Sequence, residues 1–388
     1  MRGRLQRSRR ADSGLTLVEV LITITLASFI TAATFAFFAG QQRIYDTQSK
    51  LLGVQQNLWS AMDTVSRYVR LSGKGMLGCV RPDSDAAGPD LGDPSCGGDT
   101  APQTGLRAWR TGTGFIRIAP LWIRNGASGA PDTLTVAYGL NASGNFTDAT
   151  LATDVQTGKT TAAISVLNGE TVGFRANEFM LLVEKAQANG DRGCTLFQVT
   201  GVDTATNTIL KASAGSSWNP AVDIAAMNPF AYIGGAAPTG GVRNMGELTW
   251  IQFAIDTSGG PSIPPRLTMN RLDGTAGPEV LADGIEDMQV AFACDITGGS
   301  PDGDLSEGTD PATRRTDEWI YNESGDVEPA GCQRPDAIRI TLTARSLTPD
   351  TTLSGVAGNA KPAAEDGAAG TADQYRHRVA TMAIYPRN

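Results

Sequence analysis

The chain has 388 residues, a formal net charge of −8 and a single histidine. A net charge of this sign opposes binding to nucleic acid or to an anionic lipid surface. The single histidine and five cysteines without a C-x-x-C pair give no zinc-binding constellation.

The first 14 residues form a short basic leader with five arginines and one aspartate. By the positive-inside rule, a segment of this kind stays in the cytoplasm. We therefore expect residues 1–14 to stay on the cytoplasmic side and the apolar segment that follows them to cross the membrane outward.

An apolar run extends from Leu15 to Ala39, and Glu19 is its only charged residue. At about 1.5 Å per residue, a helix of about 25 residues is long enough to cross a hydrocarbon core of about 30 Å. The run therefore predicts a transmembrane helix over residues 15–39. An acidic side chain costs roughly 2.5 to 3.5 kcal/mol at the centre of such a helix and less near its ends, so Glu19 is expected to have a function.

The motif Gly-Leu-Thr-Leu-Val-Glu at residues 14–19 resembles the class III signal of type IV prepilins and type II secretion pseudopilins. The resemblance implies that a prepilin peptidase cleaves after Gly14 and that the new amine of Leu15 is methylated. It also implies that Glu19 pairs with the N-terminal amine of a neighbouring subunit, which would compensate a carboxylate in apolar surroundings. The alternative is an ordinary membrane anchor with an incidental acid.

The predicted helix continues beyond the membrane segment to residue 72, where Ser72 and Gly73 end it. Gly40 and Gly53 weaken it by about 1 kcal/mol each relative to alanine. Past Gly40, apolar residues recur every three or four positions, which predicts an amphipathic helix packed on a core. These residues are Leu51, Val54, Leu58, Met62, Val65 and Val69.

Residues 73–388 are predicted to form a β-rich exported domain, so the fold class is α+β. Residues 80–112 are rich in proline, glycine and aspartate and predict a loop, while residues 141–171 and 211–239 predict two insertions. Short alternating or β-branched runs bounded by turn residues predict strands. These runs are 115–124, 133–138, 179–185, 195–200, 247–255, 265–272, 280–292, 336–346 and 375–388.

The segment 70–79 and the last three predicted strands resemble the corresponding parts of PilW-type minor pilins and of the J-type pseudopilin. The resemblance implies a long helix packed on an antiparallel sheet. It also implies an inner-membrane protein with a periplasmic C-terminal domain that later joins an extracellular fibre beside other pilins. The predicted function is a PilW-type minor pilin that helps to initiate assembly near the tip. The alternatives are a J-type pseudopilin and an exported adhesin or enzyme on a pilin-like anchor.

The five cysteines predict disulfides, because an exported domain matures in an oxidising compartment. Proximity in sequence favours Cys79 with Cys96 and Cys294 with Cys332, which would leave Cys194 unpaired. Loops of about 16 and 37 residues would contribute roughly 3 to 4 kcal/mol each in the chain-entropy treatment. Other pairings and free thiols stay open.

An acidic loop over residues 295–310 offers hard oxygen ligands of the kind that calcium prefers. Its candidates are Asp302, Asp304, Glu307 and Asp310. The spacing of an EF-hand is absent, so a solvated acidic loop is the preferred interpretation and no other cofactor is predicted.

No catalytic motif is present in the sequence. Lys74 lies between glycines but lacks the G-x-x-x-x-G-K-[ST] pattern of a phosphate loop, and there is no G-x-S-x-G or H-E-x-x-H motif. His377 lies between two arginines in the last predicted strand, where a surface role is expected rather than a general base. The protein is therefore predicted not to be an enzyme.

Overall fold

The structure, a computed structural model, describes most of the chain and divides it into two compact units, Met1–Leu52 and Gly53–Asn388. One long helix, α1 (Leu17–Leu71), crosses the boundary between these units. The described residues are 16–76, 106–111, 114–140, 148–155, 163–185, 193–212, 216–219, 232–235, 240–260, 263–273, 277–295, 305, 318–320, 336–350, 353 and 360–385.

The bounds of α1 confirm the helix predicted over residues 15–72 to within two residues at each end. Gly40 and Gly53 do not interrupt it, and no atom outside the helix comes within 4 Å of the Cβ that either position lacks. The helix ends at Leu71, after which residues 72–75 form a turn.

The second unit is built from strands, as predicted, and 17 of them fall in the described parts of the chain. They are β1 (Leu106–Arg110), β2 (Gly114–Ile118), β3 (Leu121–Arg124), β4 (Thr133–Leu140), β5 (Asp148–Thr150), β6 (Ala163–Ser165), β7 (Phe179–Val183), β8 (Cys194–Gln198), β9 (Gly201–Asp203), β10 (Thr208–Leu210), β11 (Gly241–Asp256), β12 (Arg266–Arg271), β13 (Glu279–Asp283), β14 (Ile285–Ala293), β15 (Trp319–Ile320), β16 (Ala337–Arg345) and β17 (His377–Ile384).

The largest sheet has ten strands, and the 16-residue strand β11 connects its two halves. The first half of β11 pairs with β5 and β7, and the second half pairs with β4 and β12. A register shift between Asn244 and Gly246 separates the halves, and Gly246 adopts φ 73°, which a glycine accepts without strain. The sheet continues through β8 to β1 and β2, and β1 pairs with β8 in parallel.

Two smaller antiparallel sheets complete the described fold. One has the order β15-β14-β16-β17, and the other has the order β6-β10-β9. The last three predicted blocks are strands, as predicted, and the structure pairs them as β14, β16 and β17 of one sheet. Apart from the β1–β8 contact, the pairings of the described strands are antiparallel, as the predicted fold class requires.

The core of the second unit forms where the amphipathic part of α1 packs on these sheets. Val54, Leu58, Met62, Val65 and Val69 are all buried, as the spacing of apolar residues predicts, whereas Leu51 is half-buried. Alternate residues of the four-stranded sheet pack against them, namely Met288, Val290 and Phe292 of β14 and Ile338, Ile340 and Leu342 of β16. Each such side chain contributes about 1.5 to 3 kcal/mol when it leaves water.

Three strand boundaries differ from the prediction. The run predicted over 115–124 is broken at Pro120, which has no N–H for a ladder and whose carbonyl accepts the N–H of Ala137 at 2.9 Å. Gly284, at φ 80°, turns the chain between β13 and β14, and a Cβ there would lie 2.7 Å from the carbonyl oxygen of Arg345. Strand β1 lies within residues 80–112, which the composition predicts to be a loop.

Candidate functional site

The candidate functional site begins with the first turn of α1. Thr16 precedes the helix, and its Oγ1 accepts the backbone N–H of Glu19 at 3.3 Å, while its carbonyl accepts the N–H of Val20 at 3.2 Å. Thr16 is therefore the N-cap, and Glu19 occupies the third helical position, the spacing of a capping box. A carboxylate in the first turn is also stabilised by the positive end of the helix dipole.

Beyond this turn, α1 presents apolar side chains on all its faces to its surroundings. Leu17 is 78% exposed and Phe29 is 71% exposed, and none of the most apolar 18-residue window of the helix is buried within the structure. The helix is long and apolar enough to cross a membrane. It fits a single-pass, membrane-anchored topology, as the sequence predicts.

The hydroxyl groups of this apolar segment are all satisfied within the helix. Each donates to a backbone carbonyl three or four residues earlier, at 2.7 to 3.0 Å. The five residues are Thr23, Thr25, Ser28, Thr31 and Thr34. Because a polar group in hydrocarbon needs an internal partner, these bonds let the segment sit in lipid or among other helices at little cost.

The comparison with known families agrees with this geometry. Residues 9–35 match the family model of the prokaryotic N-terminal methylation motif. The chain therefore carries the N-terminal motif of type IV pilin-like proteins. The matched residues cover the end of the leader and the first part of the apolar helix. The motif implies processing by a prepilin peptidase and assembly with other pilins. Searches of curated proteins and of solved structures found no match.

Not every residue of the predicted processing site lies within the described chain. Gly14 and Leu15 fall outside the described residues, whereas Thr16 and Glu19 lie within them. The capping role of Thr16 was not predicted, although the S/T-x-x-E pattern at residues 16–19 carries the signal. The first turn of α1 is thus formed by the same residues that make up the peptidase motif.

The calcium prediction is not tested by the structure, because Asp302, Asp304, Glu307 and Asp310 all lie outside the described residues. Within the residues that the structure describes, no group of three or more His, Cys, Asp or Glu side chains is arranged to hold a metal ion. Calcium therefore remains a prediction for residues 295–310 alone.

The predicted pairing of cysteines needs one correction. Cys194 and Cys294 each form a disulfide in the structure. The prediction that Cys194 is unpaired, which followed from pairing the cysteines by proximity in sequence, is therefore wrong. Cys79, Cys96 and Cys332 lie outside the described residues, so the two predicted pairs stay predictions. Cys194 begins β8 inside the domain, and a buried cysteine pairs according to the fold rather than according to distance along the chain.

His377 is the second correction, because its imidazole is not a surface group. Its side chain is only 5% exposed, Nδ1 lies 2.6 Å from Oε1 of Glu286, and Nε2 lies 3.0 Å from Oδ1 of Asp373. Burial alone would lower the pKa of His377, but the hydrogen bonds to the two carboxylates outweigh it and raise the pKa above its ordinary value. The arrangement joins β17 to β14 and to the segment before β17.

A buried polar cluster beside β14 was not predicted at all. Asp132 is 0% exposed, and its carboxylate accepts the N–H groups of Gly126 and Val290, each at 2.7 Å. Burial raises the pKa of Asp132 to about 8, against the two N–H donors that lower it, and the charges of Asp366 and Asp287 raise it further. Nothing in the local sequence marks this aspartate, because Val290, Asp287 and Asp366 lie far from it along the chain.

The same cluster attaches residues 361–366 to the outer face of the four-stranded sheet. Lys361 Nζ lies 2.6 Å from Oδ2 of Asp287, and Arg339 donates to both carboxylate oxygens of Glu365, at 2.8 and 2.6 Å. The ion pairs are largely buried, and each charged group in them has a partner, as burial of charge requires. These contacts give a structural role to the face of the four-stranded sheet that lies opposite the face covered by α1.

Proposed function

We propose that this type IV pilin-like protein is a PilW-type minor pilin that helps to initiate assembly of a pilus and is incorporated into the fibre near its tip. The observation that carries the proposal is the apolar helix that begins at a capped turn containing Glu19. Before assembly, residues 15–39 anchor the chain in the inner membrane with the β-rich domain in the periplasm. After assembly, the same segment packs among the helices of other subunits.

Glu19 would act through its charge in the fibre. Cleavage after Gly14 creates an amine on Leu15, and that amine enters an apolar environment when the subunit docks. A charge in such an environment is costly unless an opposite charge compensates it. The carboxylate of Glu19 in one subunit would supply this charge for the amine of its neighbour, and the pair would fix the axial register between subunits.

The size of the exported domain supports a position near the tip. Its described residues form a ten-stranded, a four-stranded and a three-stranded sheet. A domain of this bulk is sterically difficult to repeat along a closely packed shaft, whereas the end of a fibre offers free space. The buried stripe of α1 from Val54 to Val69 holds the domain to its own helix independently of other subunits.

The test replaces Glu19 by alanine and compares the subunit in sheared surface fibres with the subunit in the inner membrane. The Glu19→Ala protein should insert and be cleaved normally, because it loses an acid that is costly in lipid. Its incorporation into fibres should fall sharply. Glu19→Asp keeps the charge but withdraws it by about one methylene, and partial incorporation is expected.

Asp46→Ala provides the matched control, because Asp46 is an exposed acid on the same helix beyond the apolar segment. This variant should be incorporated like the wild type. Normal incorporation of Glu19→Ala would contradict the proposal and favour an anchored adhesin or enzyme. Recovery of the wild-type protein with a secretion pseudopilus, and not with surface pili, would instead identify a J-type pseudopilin.

A further inference from the structure

Strand β17 forms an edge of the four-stranded sheet. It pairs with β16 over eight consecutive residue pairs, from His377 opposite Arg345 to Ile384 opposite Ile338, without a register shift. On its other side no strand pairs with it within the described part of the chain. A regular strand of this length presents a straight row of backbone groups to its surroundings.

Among the residues that the structure describes, these backbone groups have no second set of partners. In an antiparallel pair, every second residue turns its N–H and C=O away from the neighbouring strand. Apart from the ladder with β16, no backbone hydrogen bond reaches residues 378–384 from any other described residue. The outward N–H and C=O groups of β17 are therefore available for pairing with a further strand.

Another edge strand, β13, shows how an edge is protected against pairing with a further strand. Strand β13, an edge of the ten-stranded sheet, has acidic residues at both ends, and its pairing with β12 shifts register between Leu267 and Thr268. Asp283 at its end lies 3.5 Å from Arg266. Charges and bulges of this kind discourage edge pairing, and β17 has neither from Val379 to Ile384.

The side chains of β17 are also suited to pairing. The six residues after Arg378 are uncharged and include no glycine or proline, and Val379 is 40% exposed on the face away from α1. On that face, Thr381 already makes a cross-strand contact with Thr341, with 3.0 Å between their hydroxyl oxygens. Uncharged β-branched and apolar side chains of this kind favour strand addition.

Charge complementarity indicates which strand would bind. Arg376 is held by Asp350 at 2.7 Å, whereas Arg378 is exposed and has no carboxylate partner among the described residues. A second copy of β17 would bring another arginine and no acid, and two chains of formal net charge −8 repel each other. A strand that carries a carboxylate opposite Arg378 would satisfy this guanidinium.

We propose that β17 is a docking edge for an extended segment of another exported polypeptide, which adds a fifth strand to the sheet. The segment has alternating apolar side chains and one acidic side chain placed opposite Arg378. Main-chain hydrogen bonds to the outward groups of β17 supply the affinity, and the ion pair sets the register. This contact is independent of Glu19 and of the apolar segment of α1.

The probe is a synthetic peptide with the nine-residue sequence of β16, the strand that already pairs with β17, carrying Ala344→Glu. In the antiparallel register of β16, position 344 lies opposite position 378. The matched peptide carries Ala344→Lys. Hydrogen exchange of the full chain in detergent micelles is measured across residues 378–384, with and without each peptide.

The acidic peptide should slow exchange of the outward amides, and the lysine peptide should bind about threefold to fivefold more weakly or not at all. Raised salt should reduce the difference between the two peptides, because the ion pair is exposed. Equal binding of both peptides, or no slowing with either, would overturn the proposal. Slowing that grows with protein concentration without any peptide would make a second copy the occupant, which also contradicts it.

A pair of proline variants keeps the test independent of folding. The N–H groups of adjacent residues point to opposite edges of a strand, so one of Ala380→Pro and Thr381→Pro removes an outward N–H and leaves the ladder to β16 intact. The variant that lacks an outward N–H is the one that keeps the wild-type melting temperature. In this variant the acidic peptide should no longer slow hydrogen exchange across residues 378–384. If it binds that peptide like the wild type, the edge of β17 is not the docking site.

Discussion

The hydroxyl oxygen of Thr16 accepts the backbone N–H of Glu19 at 3.3 Å, so one contact joins two residues of the processing motif. Thr16→Val removes this cap and should let the first turn of α1 fray, at a cost of about 1 kcal/mol. Hydrogen exchange of the amides of residues 17–20 in micelles should rise, and incorporation into fibres should fall in part, because Glu19 is less firmly placed.

Thr16→Ser keeps the hydroxyl and should behave like the wild type. Thr34→Val is the matched control within the membrane segment, because the Thr34 hydroxyl only donates to the carbonyl of Ile30 at 2.8 Å and caps nothing. If Thr16→Val leaves both exchange and incorporation unchanged, the cap has no part in positioning Glu19.

The second prediction concerns cleavage after Gly14. Gly14→Val should block the peptidase, which needs a small residue at the cut, and the basic leader should stay attached. The wild-type protein should begin with a methylated Leu15, as intact mass spectrometry would show. Gly40→Ala is the control, since Gly40 lies inside the helix with open space around it, and its variant should be processed normally. A mature N-terminus beyond Ala39 would contradict the prepilin interpretation.

The sequence was sufficient to predict elements that rest on periodic patterns. The helix was predicted because Val54, Leu58, Met62, Val65 and Val69 repeat at helical spacing, and all five are buried on one side of α1. Strands β14, β16 and β17 were predicted from alternation. Their order in the sheet was not predicted, because alternation within one strand does not identify the strand beside it.

Features that depend on contacts between distant segments could not be predicted. Asp132 accepts a hydrogen bond from the N–H of Val290, 158 residues later in the chain, and no local sequence pattern indicates this bond. His377 appears solvent-exposed from its flanking arginines, but its imidazole is buried beside Glu286 of β14, two strands away in the sheet. The parallel contact of β1 with β8 was likewise hidden, because β1 lies in a segment whose composition indicates a loop.

The third prediction concerns the disulfides. Non-reducing peptide mapping of the exported protein should find Cys194 and Cys294 in cross-linked peptides, since both form disulfides in the structure. Cys294 is expected with Cys332. Reduction should lower the free energy of unfolding by about 2 to 5 kcal/mol for each bond lost. Recovery of five free thiols from periplasmic protein would contradict this part of the account.

The fourth prediction concerns the pH dependence that His377 confers. Its pKa is raised in the folded protein by Glu286 and Asp373, so the charged imidazole contributes stability that is fully present below its ordinary pKa of 6.5. That contribution is lost as the pH rises through the folded pKa. His377→Gln should therefore destabilise the protein more at about pH 5.5 than at about pH 9, in denaturant titrations of the full chain.

Arg378→Gln is the matched control for this measurement, because Arg378 is adjacent and exposed and makes no ion pair with a described residue. Its effect on the free energy of unfolding should be small and the same at both pH values. A pH-independent effect of His377→Gln would show that the two carboxylates do not hold the imidazole in its charged form.

The fifth prediction concerns Asp132, whose buried carboxyl has a pKa raised to about 8. Because the folded chain binds this proton more tightly than the unfolded chain, stability falls as the pH rises from about 4 to about 8, by up to about 1.4 kcal/mol per pH unit. Asp132→Asn removes this titration. It also leaves one of the two N–H donors, from Gly126 or Val290, without an acceptor, which costs about 1 to 3 kcal/mol.

Asp132→Asn should therefore be clearly less stable than the wild type at about pH 5, and the difference should shrink or reverse at about pH 8.5, where the wild type has to bury a charge. Asp203→Asn is the control, because hydrogen bonds from Thr206 and Ala205 lower the pKa of Asp203. Its contribution changes only under more acidic conditions, so its variant should show a constant difference over the same range. A constant difference for Asp132→Asn as well would mean that Asp132 is already ionised in the folded protein, with the two N–H donors stabilising its charge.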